Sequence, residues 1–252
     1  MKKLALILLF MPALAMAQIK SGKIVFEEKV NVEMDLEGEG IPDDPEMAEM
    51  IKKLHDQASR SKKVLIFNQE ETLYRDFDAK ADGSASWTSD DGNQELQIMV
   101  MRPTAQVYRN LTENKLTEQQ DLWGKKFIID EKPEKRKWKI TGEQAMMAGY
   151  QCQQAVYEKD STKILVWFTP QIPVSAGPQN YGGLPGMILR MDVNDGELII
   201  EAKSISEEAE EIEKPKGGKK VSREEFIKIR ESKIKEMQEM SGGGKRIEID
   251  ID

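Results

Sequence analysis

Residues 187–204 read MILRMDVNDGELIIEAKS, and this stretch decides the fold class. Two runs rich in apolar residues, Met187–Val193 and Glu197–Ser204, flank the tripeptide Asn194–Gly196. Asn, Asp and Gly tolerate the positive φ angles of tight hairpin turns, so this arrangement is typical of two antiparallel strands joined by a short loop. The stretch therefore predicts a β-hairpin within a larger sheet.

The same two-residue period extends outward through most of the chain. Apolar and polar residues alternate from Lys23 to Asp35, as expected for a strand with one buried face. Further strands are predicted at 63–67, 72–77, 96–101, 105–109, 115–122, 125–130, 138–141, 150–158 and 163–169. The segment Asp78–Asn93, rich in Asp, Ser and Gly, is predicted to be a loop. The fold class that follows is mainly β (α+β), with a single curved antiparallel β-sheet or open barrel.

Two segments carry helical signals. Pro45 suits a first helical turn, and apolar residues then recur at a spacing of three to four, which predicts one helix near 45–59. Ser222 and Glu225 match a capping box, and Val221 and Phe226 occupy the positions of a hydrophobic staple. These signals predict a C-terminal helix near 222–240.

The composition divides the chain into three parts. Residues 1–17 are predicted to be a signal peptide, and residues 18–205 an antiparallel β domain. After Ser206 a run of acids is followed by a run of bases. Residues 206–252 are therefore predicted to hold a charged linker, the amphipathic C-terminal helix and a terminal edge strand, where Ile247, Ile249 and Ile251 alternate with acids.

The first 17 residues have the three parts of a secretory signal. Lys2 and Lys3 give a positive start, an apolar stretch follows, and Ala15–Ala17 is a small-x-small cleavage site. A membrane span needs about 20 apolar residues, which neither this segment nor any later one provides. A lipid anchor would need Cys where Gln18 stands. The sequence predicts cleavage after Ala17 and a periplasmic or secreted protein with no transmembrane segment and no lipid anchor.

Composition excludes several classes of function. The formal net charge of the 252 residues is −8, and an acidic chain is poorly suited to neutralising a row of phosphates, so no nucleic-acid partner is expected. One His and one Cys exclude a zinc site built on several histidines and an internal disulfide. Because there is no Gly-rich phosphate loop or dinucleotide fingerprint, no cofactor is predicted.

Two stretches resemble a known family. Residues 149–155 read GYQCQQA, and residues 167–173 read WFTPQIP and lead to Gly183-Leu184-Pro185-Gly186-Met187-Ile188. Together they resemble the GLPGLI family of exported bacterial proteins, from about Trp138 to Ser204. Met187 replaces the Leu of the family name, which is a volume-conserving apolar change. The family has no established activity, so the resemblance implies export but brings no catalytic residues.

The signature is interpreted first as a structural corner. Pro185 fixes φ for the second position of a tight turn, and Gly186 supplies the positive φ that a type II turn requires at the third. The alternative is a binding loop, because a Gly182-Gly183 pair lets the backbone pass close to a ligand or to another strand. The candidate ligand-binding or structural residues are Tyr181, Gly183, Leu184, Pro185, Gly186 and Trp167.

Other reactive side chains have simpler interpretations. Met47, Met50 and His55 are candidates for a Cu(I) site, but methionines at helical spacing are typical of a core-facing stripe, so no metal site is favoured. His55 is expected near a helix C-terminus, where the dipole favours the charged imidazole. Cys152 is expected to be a small buried apolar residue rather than a reactive thiol.

These features favour a non-enzymatic binding module. A curved sheet with a helix across its concave side makes an apolar pocket, as in periplasmic lipoprotein carriers, whose folds this fold class resembles. The ligand would be an apolar small molecule or a peptide. The alternative is a protein–protein interaction or assembly factor of the cell envelope that uses residues 207–240 and 247–251 as contact surfaces. A hydrolase or a copper-binding protein ranks third, since no nucleophile elbow is present and nothing selects a catalytic carboxylate pair.

Overall fold

The structure is a computed structural model that describes residues 19–31, 45–78, 84–88, 95–101, 104–208, 210–240 and 248–250. The predicted signal peptide lies outside these ranges. Two helices lie within them, α1 (Pro45–Ala58) and α2 (Arg223–Met240), which confirms the helices predicted near 45–59 and 222–240. Within these ranges, neither helix is long and apolar enough to cross a membrane.

The described ranges also contain fifteen strands. They are β1 (Gly22–Val30), β2 (Arg60–Phe67), β3 (Glu71–Asp76), β4 (Ser84–Thr88), β5 (Glu95–Met101), β6 (Thr104–Asn110), β7 (Lys115–Leu122), β8 (Lys125–Glu131), β9 (Lys139–Met147), β10 (Tyr150–Lys159), β11 (Thr162–Thr169), β12 (Met187–Val193), β13 (Leu198–Ser206), β14 (Lys219–Lys220) and β15 (Glu248–Asp250).

Twelve strands form one sheet in the order β14-β8-β7-β6-β3-β2-β1-β13-β12-β11-β10-β9. The first strand, β1, lies in the middle of this sheet and pairs with β2 on one side and with β13 on the other. All neighbouring strands are antiparallel except β14, which pairs in parallel with β8. The predicted fold class, mainly β with one large curved antiparallel sheet, is confirmed.

The connectivity forces this sheet to curl. The strands β8 and β9 follow each other in sequence but lie ten strand spacings apart in the sheet, which is about 48 Å if the sheet were flat. The link between Glu131 and Lys139 spans about 28 Å at most when fully extended. A flat sheet is therefore impossible, and the two ends must approach each other.

Curling turns one face inward, and the main core lies on this concave side. Leu65 and Phe67 of β2 share one buried cluster with Val166 and Phe168 of β11, although these strands are not neighbours. The same cluster includes side chains from the connection between β11 and β12. The sequence predicts a helix across the concave side, but neither helix contributes a residue to this cluster among the described residues. The helix α1 contacts β4, β5 and β2, and the segment that fills the core is this connection.

The hairpin predicted from residues 187–204 is β12–β13. Asn194 and Asp195 have φ values of 50° and 56°, and Gly196 has a φ of 109°, as expected for a tight turn. Asn194 Oδ1 also accepts a hydrogen bond from Lys163 N at 2.9 Å, which ties the turn to β11. The second strand begins at Leu198 rather than at Glu197, because four residues are used in the turn.

A second, smaller sheet corrects two expectations. The predicted loop Asp78–Asn93 contains β4, and β4 and β5 pair with each other in a three-stranded sheet of order β15-β5-β4. In sequence Ala85 and Trp87 alternate with Ser and Thr, a short two-residue period that the surrounding Asp, Ser and Gly obscure. The terminal edge strand is present as β15, but it pairs in parallel with β5 and not with the large sheet.

The segment after β13 crosses the convex face of the large sheet. Ile212 packs against a small cluster formed by Val64, Ile66, Leu73 and Tyr108. Further along, Gln119 Nε2 donates to the carbonyl oxygens of Lys216 and Gly217, both at 2.9 Å. Ile212, Lys216 and Gly217 therefore contact the sheet, while the predicted division of the chain at residue 206 stays a prediction.

The start of α2 is fastened by the predicted capping box. Ser222 N donates to Glu225 Oε2 at 3.0 Å, and Glu225 N donates to Ser222 Oγ at 3.1 Å. Val221 and Phe226 both pack in a cluster with residues of β7 and β8, as expected for a hydrophobic staple. The ring of Phe226 meets that of Phe127 edge to face at 5.6 Å.

Replacing Phe226 tests the docking of α2. Phe226→Ala is expected to lower the free energy of unfolding by about 3–5 kcal/mol, because this ring is only 3% exposed. Ile227→Ala is the matched control, since the neighbouring Ile227 is 36% exposed, and it should cost less than about 1 kcal/mol. Urea unfolding measures both variants, and equal losses would contradict the docking described here.

Candidate functional site

The connection between β11 and β12, residues 170–186, carries the signature and is part of the core. Ile172, Val174 and Ala176 are buried, whereas the intervening Pro173 and Ser175 are exposed. The backbone makes two successive γ-turns, in which Val174 N donates to Ile172 O and Ala176 N to Val174 O, each at 2.8 Å. The alternation keeps the two-residue period of a strand, so every second side chain enters the core.

Hydrogen bonds fasten this connection to the beginning of β12. Met187 N donates to Ile172 O at 3.0 Å, and Ile188 N donates to Ala176 O at 2.9 Å. Leu184, which is 3% exposed, adds its side chain to the same core cluster. Leu184 and Ile188 are therefore buried, as the interpretation of a structural corner expects.

The geometry around Pro185 differs from the predicted type II turn. Gly186 N donates to Leu184 O at 2.8 Å, which is the hydrogen bond of a γ-turn centred on Pro185. Gly186 has a φ of 155°, whereas a type II turn needs about 80° at this position. The type II prediction is wrong because the backbone of Gly186 packs directly against the backbone of Thr169. A Cβ on Gly186 would lie 2.1 Å from the carbonyl oxygen of Thr169.

The outer end of the connection meets side chains from three other parts of the chain. We call this group the rim; it consists of Arg109, Arg136, Trp138, Tyr157, Tyr181, Gly182 and Gly183. Trp138 Nε1 donates to Gly182 O at 2.9 Å, and the Trp138 ring lies tilted against that of Tyr157 with 5.8 Å between centroids. The rim thus joins β6, the β8–β9 link, β10 and the signature connection.

Arg109, on β6, is the most deeply buried charge of the rim. It is 7% exposed, and its Nη1 donates to Tyr181 O at 2.7 Å. Its Nε has no hydrogen-bond partner in the described part of the chain. Burial, with a smaller contribution from the charge of Arg136, lowers the pKa of Arg109 to about 10. The side chain is therefore still a cation at neutral pH.

Arg136 covers the outer face of Tyr181. Its Cζ lies 4.2 Å from the centroid of the Tyr181 ring, a cation–π contact. Its Nη2 pairs with Glu134 Oε2 at 3.0 Å and donates to Asn180 Oδ1 at 3.3 Å. Nε and Nη1 of Arg136 are buried and have no acceptor among the described residues. Two guanidinium groups with orphaned donors therefore contact one residue, Tyr181.

The glycine pair makes this close approach possible. A Cβ on Gly182 would lie 2.5 Å from Arg109 Nη1 and 2.7 Å from Ser175 O, so a side chain here would displace the guanidinium. Gly183 has a φ of 89°, and its N donates to Ser175 Oγ at 3.1 Å. The pair lets the backbone pass close to Arg109, which is the close approach that the sequence indicated.

The structure separates the six candidate residues of the signature. Tyr181 and Gly183 lie at the rim, Leu184 and Gly186 are buried in the connection, and Pro185 is exposed. Trp167 lies on β11 opposite Gln154 and Arg190, and no described contact joins it to the rim. A ligand-binding role for these residues stays a prediction.

Sequence reasoning missed the other side of the rim, namely Arg109, Arg136, Trp138 and Tyr157. Arg109 lies 72 residues before Tyr181, and no spacing rule connects two residues so far apart. Only one feature of the sequence pointed to Trp138, namely that the resemblance to the family begins there. No feature of the sequence pointed to the two arginines. Arg136, for example, stands in a run of basic residues that is typical of a solvated surface.

The remaining reactive side chains lie away from the rim. Met50 and His55 are on α1, and the side chain of Met47 lies outside the described residues. Burial lowers the pKa of His55, which opposes the charged form, and the expected effect of the helix dipole stays a prediction. Across the described residues, no group of three or more His, Cys, Asp or Glu side chains could hold a metal ion.

Cys152 is fully buried, as predicted, and burial raises the pKa of its thiol to about 11.

Comparisons with known proteins show a shared fold and a family of unknown function over part of the chain. A family model described as a protein of unknown function, Porph_ging, matches residues 156–190. No curated protein matches. Structures of PNGF-II in the P21 and C2 space groups are similar to this chain, with TM-scores of 0.52 and 0.55 and 16% sequence identity. Each match covers 83% of this chain, but only 33% and 32% of those chains, so this chain spans about a third of their length.

Replacing Gly186 tests whether the signature is a packing element. Gly186→Ala is expected to lower the free energy of unfolding by at least about 3 kcal/mol, because its Cβ meets the backbone of Thr169 in a conformation that side chains avoid. Gly149→Ala is the matched control: its φ is 85°, but open space surrounds the added Cβ, so only strain of about 1–2 kcal/mol is expected. Thermal or urea unfolding compares the two, and similar losses would contradict the packing role.

Proposed function

We propose that this protein is an exported, non-enzymatic binding module of the GLPGLI family whose ligand binds at the rim. The observation that carries the proposal is the convergence of three other segments, β6, the β8–β9 link and β10, on Tyr181–Gly183. Three half-buried aromatic rings and two arginines meet there, supported by a buried core. A few convergent polar groups on an apolar surface are typical of a ligand site.

The position of the ligand follows from what occupies the concave side. Ile172, Val174 and Leu184 already fill that space, so an apolar ligand would bind against the outer face of the connection. The rings of Trp138, Tyr157 and Tyr181 provide an apolar surface there, and the half-buried state of each leaves part of it accessible. The ligand class that fits is an apolar small molecule or a peptide.

Binding is favoured over catalysis by the state of the carboxylate beside the rim. Glu134 accepts from Arg136, from the Tyr157 hydroxyl at 3.3 Å and from Lys159 Nζ at 3.5 Å. Both oxygens of this carboxylate are engaged by side chains of the chain itself, Oε2 by Arg136 and Oε1 by Tyr157 and Lys159, so Glu134 positions the side chains of the rim.

The finer family assignment and the location belong to the same proposal. The segment matched by the family model, residues 156–190, includes Gly183–Ile188, which supports assignment to the GLPGLI family. The three-part signal at residues 1–17 supports cleavage after Ala17 and a location in the periplasm or outside the cell.

Native mass spectrometry of the mature protein, purified from the cells that express it naturally, tests the proposal. A molecule of defined mass should remain bound to the wild-type protein and should be lost from Trp138→Ala, because Trp138 contributes both a ring and the hydrogen bond to Gly182. Trp167→Ala is the matched control and should retain the molecule. Wild-type protein that carries no ligand, or equal loss from both variants, would contradict a site at the rim.

A second candidate, an interaction or assembly factor, is favoured by one observation. The edge strand β9 has its outer side unpaired in the described sheet, and Ile140 and Met146 are 48% and 64% exposed. An exposed edge with apolar side chains is suited to accepting a strand of a partner.

Charged substitutions on the edge test this second candidate. Ile140→Lys combined with Met146→Lys should abolish capture of an envelope protein by the immobilised chain. Phe77→Lys is the control, because Phe77 is also exposed, at 44%, but lies outside β9. Equal capture by all three proteins would exclude β9 as the contact surface.

A further inference from the structure

The rim contains more positive than negative charge. Arg136 is paired with Glu134, whereas Arg109 has no ion pair with any carboxylate that the structure describes. Lys159, the other cation near Glu134, is 62% exposed and largely hydrated. The two buried guanidinium groups of the rim therefore have a single carboxylate partner, that of Glu134, whose side chain is 46% exposed, and one positive charge remains uncompensated.

Such an arrangement is unusual in a folded protein. Buried arginines are almost always paired, because removing a charge from water without compensation is costly. The orphaned donors are also specific: Nε of Arg109 and Nε and Nη1 of Arg136 are all buried without an acceptor among the described residues. The missing partner is thus an acceptor that carries a negative charge.

We propose that a carboxylate of the ligand binds between Arg109 and Arg136, against the Tyr181–Gly182 backbone. This inference rests on the proposed function, because it names the group that the rim recognises. A carboxylate fits for two reasons. Its single charge balances the single excess charge, whereas a phosphate monoester, with a charge of about −1.5 to −2, would over-compensate it. Glu134 also shows that Arg136 already holds a carboxylate in the observed geometry.

The surroundings define the rest of the ligand. The guanidinium of Arg109 occupies the space that a side chain on Gly182 would need, and the adjoining Tyr181 and Gly182 are both partly exposed. The rings of Trp138 and Tyr157 lie beside them and suit an apolar body. The ligand is therefore an amphipathic carboxylate, either a fatty acid or the C-terminus of an apolar peptide.

Thermal stabilisation of the full mature protein tests the charge requirement without any variant. A ligand that binds only the folded state raises Tm. Octanoate, or the peptide N-acetyl-Leu-Leu-Ala with a free carboxylate, is expected to raise Tm in a saturable way, and whichever does so identifies the source. Octanol and the amidated peptide, which match in shape but lack the charge, should not. A response to the uncharged compounds equal to that of the acids would overturn the proposal, as would a response to inorganic phosphate alone.

Variants locate the carboxylate. Arg109→Met and Arg136→Met should each weaken binding of the responding acid by at least about tenfold, the size expected for loss of a charge-assisted hydrogen bond. Arg190→Met, a matched arginine on β12 away from the rim, should bind as the wild type does. Arg109→Lys keeps the charge and should bind more tightly than Arg109→Met, which a merely structural role would not predict. Unchanged affinity in Arg109→Met and Arg136→Met would overturn the proposal.

The two proposals fail in different ways. If a co-purified molecule is lost from Trp138→Ala but carries no carboxylate, the binding module stands and the carboxylate site is wrong. If the acids raise Tm and depend on both arginines while Trp138→Ala retains its natural ligand, the carboxylate site stands and the aromatic part of the proposed function is wrong.

Discussion

The backbone contact between Gly186 and Thr169 is the constraint on which the rest of the structure depends. A sheet of twelve strands curls because the link between β8 and β9 is short, and the curled sheet needs something to fill its concave side. The connection between β11 and β12 does so, but it can return to β12 only by passing directly against the end of β11. The absence of a side chain at Gly186 permits that passage, and Leu184, Ile172 and Val174 then reach the core.

The same constraint positions the rim. Because one end of the connection is fixed in the core, its other end holds Tyr181 and Gly182 at a defined place on the surface, where the curl of the sheet also brings Arg109 and the β8–β9 link. The inner and outer sides of this single loop therefore differ in character. The inner side chains contribute apolar burial, whereas the outer side holds a positive charge that the described residues do not balance.

Most of the fold could be predicted from local patterns, and most of the rim could not. The turn at Asn194–Gly196 and the capping box of Ser222 and Glu225 are short-range signals, and the structure contains both. Ser84–Thr88 was missed because polar residues surround a brief alternation. Pro185 and Gly186 suggested a type II turn, since a local pattern does not reveal that Thr169 packs against the glycine. Arg109 meets Tyr181 only because of the strand order, which no local pattern encodes.

Hydrogen exchange at the start of β12 tests most directly whether the signature connection is part of the core. The amides of Met187 and Ile188 donate to carbonyl oxygens of the connection, Ile172 and Ala176. If the connection is core, these two amides should exchange only through global unfolding, within about tenfold of the slowest amides of the central strands. Exchange through local opening, at rates close to those of exposed turns, would show that the connection is a separately opening lid and would contradict this account.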